Sequence, residues 1–435
     1  MKTLEKPLKQ PTPLIRKPAV FRLLVIALLA EIGYAVLNVS TMPVYLRDDR
    51  QFGTSVIGVV LVAFLLSEAV FKSPMGHLAD KYGHKTLMTV GPALSVATCL
   101  LSFVVPRHGG SPVEVLAFVF LRMLDGIGAA MLWPAAFAAM GDSVDDNERQ
   151  QAMSLLNLCY MLGIALALPI GGSVNDLSHT KYGSLFLAAI LFAAVSLSAW
   201  KLAPKAPKVH AAGEEPSEFN IGEFLASVKK IPSYLIIAIV TFAGIGFPMP
   251  IIKLFAQDEF NMSESKFGFG VVFPGAILMA VLSVPLSKYG ERIGRTRAVH
   301  IGMGLASLGL CIIASGAFVP WLRQAWVFAL GGMPAGVGFL LTIPAWMASV
   351  SDIDCNKRAA NLGAVMTAQG LGAIIGASFG GLLYERMGPL GLQLRLGDSF
   401  AHYAPFVACA TCVVLGWLLG MKILRPDVPH SSDPF

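Results

Sequence analysis

The sequence predicts an all-α membrane protein with twelve transmembrane helices in two pseudo-symmetric six-helix bundles. Three observations predict it. First, the 435 residues are 55% apolar and only 14% charged, where a soluble globular chain carries about a quarter charged residues. Second, seven runs (87–105, 182–200, 231–252, 267–287, 324–351, 359–384 and 399–421) contain no Asp, Glu, Lys or Arg. A helix needs about 20 apolar residues to cross the hydrocarbon layer. Backbone groups find no water there and must pair within the segment, so such runs should be helical. Third, the two halves of the chain repeat one another.

In chain order, a basic tail (1–18) leads into the first span, 19–45. No small-residue cleavage site follows its apolar stretch and Glu31 interrupts it, so it reads as a retained helix and not a signal peptide. Spans 55–79, 84–105, 112–140, 149–173 and 182–202 complete a first bundle, 19–202. The stretch 203–232 holds Pro204, Pro207, Gly213 and Pro216, then an amphipathic segment, 219–228. It reads as a linker lying on the membrane surface. Spans 233–256, 266–288, 298–319, 324–349, 358–384 and 399–423 make a second bundle, 233–423, followed by a tail, 424–435. Twelve spans put both termini on one side, and that side carries 22 of the 33 Lys and Arg residues against nine on the other. The excess of positive charge predicts a multi-pass protein of the cell (inner) membrane with both termini cytoplasmic. Five of the six cysteines lie in apolar runs, so no disulfide framework is expected. Cys409 and Cys412 have C-x-x-C spacing, but inside an apolar helix, where metal or redox use is not expected.

The repeat is legible by eye. Gly126, Gly128, Pro134 and Asp142 match Gly336, Gly338, Pro344 and Asp352, each 210 residues on. Asn147, Arg149, Gly163 and Gly171–Gly172 match Asn356, Arg358, Gly372 and Gly380–Gly381 at 209. An even number of spans per repeat gives halves related by an axis along the membrane normal, with a cavity between them and alternating access by rocking.

The segment Gly76-His77-Leu78-Ala79-Asp80-Lys81-Tyr82-Gly83-His84-Lys85 resembles the loop motif G-x-L-A-D-[RK]-x-G-[RK]-[RK] of the major facilitator superfamily. A degenerate second copy contains Gly290, Glu291, Arg292, Gly294 and Arg295. The resemblance implies a cytoplasmic gating loop. In it Gly76, Asp80, Lys81, Gly83 and Lys85, with Glu291, Arg292 and Gly294, lock the outward-open state. An anion at Asp80 suits a neighbouring helix N-terminus, and Gly83 permits a tight turn. Arg122-Met123-Leu124-Asp125-Gly126 resembles the fourth-span motif R-x-x-Q-G, with Asp125 where Gln is usual. Gly163 through Pro169, Gly171 and Gly172 resembles the fifth-span motif of exporters, with a different spacing around the proline. Together with Met42-Pro43, these motifs imply the twelve-helix drug:proton antiporter branch.

Charges inside the spans carry the functional reading, because an ionisable residue in hydrocarbon is expensive unless it faces a partner or a wet cavity. The first half has five, Glu31, Glu68, Lys72, Arg122 and Asp125, whereas the second is expected to have none at comparable depth, only Lys253 at a helix end. Glu31, Glu68, Arg122 and Asp125 are the candidates for proton coupling. Arg122 and Asp125 are spaced to pair on one helix, as are Glu68 and Lys72, so a static structural pair is the competing reading for each. Glu31, Tyr34 and Asn38 share one helical face and are expected to line the substrate cavity with Phe242, Phe273, Trp346 and Gln369 of the second half. The expected function is secondary active transport: proton-coupled efflux of small amphipathic or cationic compounds. The alternatives are a proton symporter for a small metabolite and a lipid flippase of the same fold. No phosphate loop, metal-spaced His cluster or nucleophile–base pair is evident, so neither an enzyme nor an ATP-driven pump is expected. No cofactor or metal is expected, with protons as the coupling ion. The expected partners are the substrate and the lipid bilayer, not nucleic acid, and the expected state is a monomer.

Overall fold

A computed structural model describes residues 14–107, 109–178, 183–203, 229, 231–351 and 358–423. The amphipathic segment 219–228, the repeat residues Asp352 and Asn356, and both chain ends lie outside the described residues. So do the side chains of Asp80 and Glu291.

Eleven helices among the described residues are long and apolar enough to cross a membrane, and a shorter apolar helix completes the set. In chain order α1 is Pro18–Asp49, α2 Thr54–Tyr82, α3 His84–Val104, α4 Pro112–Asp142, α5 Asp146–Ser178 and α6 Gly183–Leu202. The seventh, α7, is in two pieces, Pro232–Gly246 and Ile252–Phe260. Then come α8 (residues 264–293), α9 Arg295–Ala314, α10 Ala325–Ser351, α11 Arg358–Arg386 and α12 Ser399–Ile423.

Two boundaries differ from the sequence reading for local reasons. The first helix was expected to stop at 45, but π-helical stretches at Val36–Thr41 and Tyr45–Asp49 carry it to Asp49. The seventh is broken where Pro248 and Pro250 follow Gly246, because proline lacks the amide hydrogen that would continue the ladder. Gly83 and Gly294 turn the chain between α2 and α3 and between α8 and α9, with φ of 92° and 90°, a backbone conformation in which a Cβ is strained.

The repeat is also a repeat of packing. A Cβ on Gly91 of α3 would stand 2.4 Å from the Gly128 carbonyl oxygen of α4, and one on Gly302 of α9 would stand 2.6 Å from that of Gly338 of α10. The same glycine contact thus sets the backbone approach in both halves.

Between the halves, α2 packs on α11 and α5 packs on α8. Among the described residues, the hydrogen bonds and ion pairs joining the bundles all lie at the helix ends remote from the linker and the gating loop. Arg47 reaches Asp258 at 2.8 Å and Gln257 at 2.9 Å. A small apolar cluster of Leu168, Ala256 and Phe267 seals the same end. The structure is therefore closed away from the linker.

Candidate functional site

The charges of the first half fall into two groups. Arg122 and Asp125 of α4 are 2% and 0% exposed and approach to 2.8 Å as an ion pair. The alignment is not that of a hydrogen bond, since Asp125 Oδ2 lacks a hydrogen-bond partner. Thr98 of α3 reaches the other carboxylate oxygen at 3.5 Å. The Arg122 guanidinium donates to the Asn38 side chain of α1 and lies 5.0 Å from the centre of the Phe64 ring of α2. Asn38 in turn donates to the Tyr34 carbonyl at 2.9 Å, and Tyr34 shares a hydrogen bond with Ser95 of α3 at 3.1 Å. Tyr34 also packs against Phe192 of α6. Tyr34 and Asn38, expected to line the substrate cavity, are thus both buried and turned into the first bundle. The polar stripe of α1 pins the Arg122–Asp125 pair, because a charge pair taken out of water needs its remaining donors satisfied.

Glu31 is set apart. It is 5% exposed, and Gly163 of α5 packs so close that a Cβ there would lie 2.6 Å from Glu31 Cβ. Among the described residues its carboxyl has no hydrogen-bond or ion-pair partner. The charges acting on it are Glu68 and Lys72 of α2, themselves paired at 2.8 Å, with the Lys72 side chain 51% exposed. In the second copy Gly372 packs the same way onto Ile239 of α7, so the repeat keeps the glycine contact and replaces the carboxyl by a hydrocarbon side chain.

The fifth-span motif is the packing edge of α5. Gly171 accommodates Ser40 of α1, Gly172 accommodates Ser265 and Glu264 of α8, and Pro169 meets Gly268 of α8. In the second half, Phe242, Trp346 and Gln369 line a narrow crevice with Phe339 and Thr342. Phe273 stands apart from it, edge-on to Phe269. In the gating loop, Gly76 lies beside Pro134 of α4, Lys81 is over the Tyr82 ring, and Lys85 and Arg292 are on the surface.

Sequence reasoning missed the charges of the second half. Lys253 and Glu264 are both buried and form an ion pair. Lys253 donates to the Ser40 carbonyl, while Glu264 accepts from the Ser40 hydroxyl and from Asn175 of α5. The expectation of no deep charge in this half is corrected: α8 begins at Glu264, two residues before the expected start, and the break in α7 turns Lys253 toward the opposite bundle. The flanking latches were missed too. Ser265 donates to Asp176, and Ser55 donates to Glu385. Asp176 and Glu385 are 209 residues apart and Ser55 and Ser265 are 210 apart, so extending the repeat comparison to loop residues would have found them.

Two six-helix halves with buried charge and a seam closed at one end define a membrane transporter. The chain belongs to the Major Facilitator Superfamily, whose sequence profile matches residues 23–247 and 234–434. Multidrug resistance protein 2 of Bacillus subtilis is 24% identical over 420 residues, covering 94% of this chain and 96% of that protein. Proton-coupled antiporter flippase LtaA of Staphylococcus saprophyticus is 22% identical over 365 residues, covering 83% and 86%. The fold is that of a bacterial homologue of the human lysosomal transporter Spinster, solved inward-facing and unoccupied. That match has a TM-score of 0.71 and 15% identity, and it covers 95% of this chain and 97% of that one.

Proposed function

We propose that this protein exports small amphipathic or cationic compounds in exchange for protons, by alternating access between its two bundles. In this reading it acts as a monomer in the cell membrane with both termini in the cytoplasm, and no catalytic step or cofactor enters. The observation that carries the reading is Glu31, a carboxyl packed against Gly163 with no partner among the described residues. A buried charge without a partner is unstable, so Glu31 is held neutral by a proton or neutralised by a cation. Glu68 and Lys72, beside it and more exposed, supply a route for the proton toward the open side. Arg122 and Asp125 act as the fixed charge pair behind this site. The crevice at Phe242, Trp346 and Gln369 offers aromatic and apolar surface with one amide, chemistry suited to a poorly hydrated cation or amphiphile.

Glu31→Gln tests it. Purified protein in liposomes with an imposed pH gradient is challenged with a panel of lipophilic cations, and substrate-induced proton movement is recorded. The wild type should move protons and Glu31→Gln should not. Proton-coupled transport that survives the substitution rejects the reading. The similarity to a flippase keeps an amphipathic lipid as the second candidate substrate, and adding a glycolipid to the same panel separates the two.

A further inference from the structure

A groove runs between α9 and α12 on the outer face of the second bundle, outside the transport pathway. Its wall on α9 is His300, Ile301, Gly304 and Leu308, and on α12 it is Trp417 and Met421. Gly304 opens it: the Trp417 ring lies where a Cβ would be crowded at 3.1 Å. Nearly all of its surface is apolar, but two buried ring nitrogens, Nδ1 of His300 and Nε1 of Trp417, have no hydrogen-bond partner. In hydrocarbon no water is available to satisfy an indole N–H.

Arg297 continues the same stripe of α9, three and four residues before His300 and Ile301. It is exposed and lies two residues inside the helix start at Arg295, at the depth of the headgroups. From Arg297 to Leu308 the helix rises about 16 Å, close to half of a hydrocarbon core about 30 Å thick. The groove therefore spans one leaflet, with a cation at its polar end, a hydrogen-bond donor one turn deeper and a bare hydrocarbon channel beyond.

We propose that the α9–α12 groove binds one anionic phospholipid of the linker-side leaflet. Arg297 pairs with its phosphate, Trp417 donates to its headgroup or ester oxygens, and one acyl chain lies along Ile301, Gly304 and Leu308.

Native mass spectrometry on the detergent-solubilised full chain tests it, with phosphatidylglycerol and phosphatidylcholine of matched chains in competition. The wild type should retain phosphatidylglycerol preferentially, by about fivefold, as expected for one Arg beside an anionic headgroup. Arg297→Gln and Trp417→Phe should each bring the two lipids toward parity. Arg22→Gln, which removes an exposed cation at the same end of the first bundle, should leave the preference intact. Parity in the wild type, or an unchanged preference in both groove variants, overturns the proposal. An equal loss in Arg22→Gln also overturns it, since the attraction would then be diffuse. None of these residues belongs to the proton site, so the outcome is independent of the transport reading.

Discussion

Ser55 gives Glu385 both its backbone N–H, at 3.0 Å, and its hydroxyl, at 2.9 Å, so a carboxylate of the second bundle caps the first turn of a helix in the first. The pseudo-symmetric counterpart, Ser265 to Asp176, runs the other way across the second seam. Between the two seams, Glu264 and Lys253 hold Ser40 and Asn175. The end remote from the linker is thus closed by charge-assisted hydrogen bonds supplied from both halves, and alternating access requires all of them to break together.

Glu385→Gln with Asp176→Asn should favour opening of that end. Hydrogen bonds to a charged group contribute about 1.5–3 kcal/mol each, so the population open at that end should rise at least about tenfold. A single cysteine at Gly53, which packs against Glu385, should react correspondingly faster with an impermeant maleimide. An unchanged labelling rate would remove these carboxylates from the gate.

The Lys253–Glu264 pair should behave as a unit. Breaking a buried pair by removing one partner costs about 3–5 kcal/mol, whereas replacing both is far milder. Lys253→Met and Glu264→Gln alone should each lower the melting temperature, and the double variant should recover most of the loss. Additive losses in the double-mutant cycle would mean that the two side chains do not interact.

Arg122→Gln should destabilise the first bundle more than Glu31→Gln does. It strands Asp125, sealed at 0% exposure, and leaves Asn38 without its charged donor. The expected cost is about 3–5 kcal/mol, partly restored by adding Asp125→Asn. Thermal unfolding in detergent reads the difference, and equal melting temperatures for Arg122→Gln and Glu31→Gln would contradict the arrangement.

Gly163→Leu should block transport even in protein that folds. Its side chain would have to displace Glu31, whose Cβ lies 2.6 Å from where the new Cβ would sit. Transport by Gly163→Leu at the wild-type rate would show that α5 and Glu31 need not touch.

Gly83→Ala and Gly294→Ala should each cost about 1–3 kcal/mol, because φ near 90° with ψ of 136° and 149° is territory that only glycine enters readily. The melting temperature is the measurement. Similar losses at the two sites would show that both copies of the loop need the same turn.

By itself the sequence determined the twelve helices, the two-fold repeat, the gating glycines and the identity of the first-half charges. Those features rest on local physics: hydrocarbon demands helices of a set length, a positive φ demands glycine, and charge is rare enough in apolar runs to stand out. The tertiary structure decided which charges keep company. Arg122, Asp125, Tyr34 and Asn38 share one sealed network, Glu31 sits alone against Gly163, and Lys253 and Glu264 close a seam that no single span displays. A hydropathy pattern fixes how deep a residue lies but not which way around the helix it faces, and that angle is set only when neighbouring helices pack.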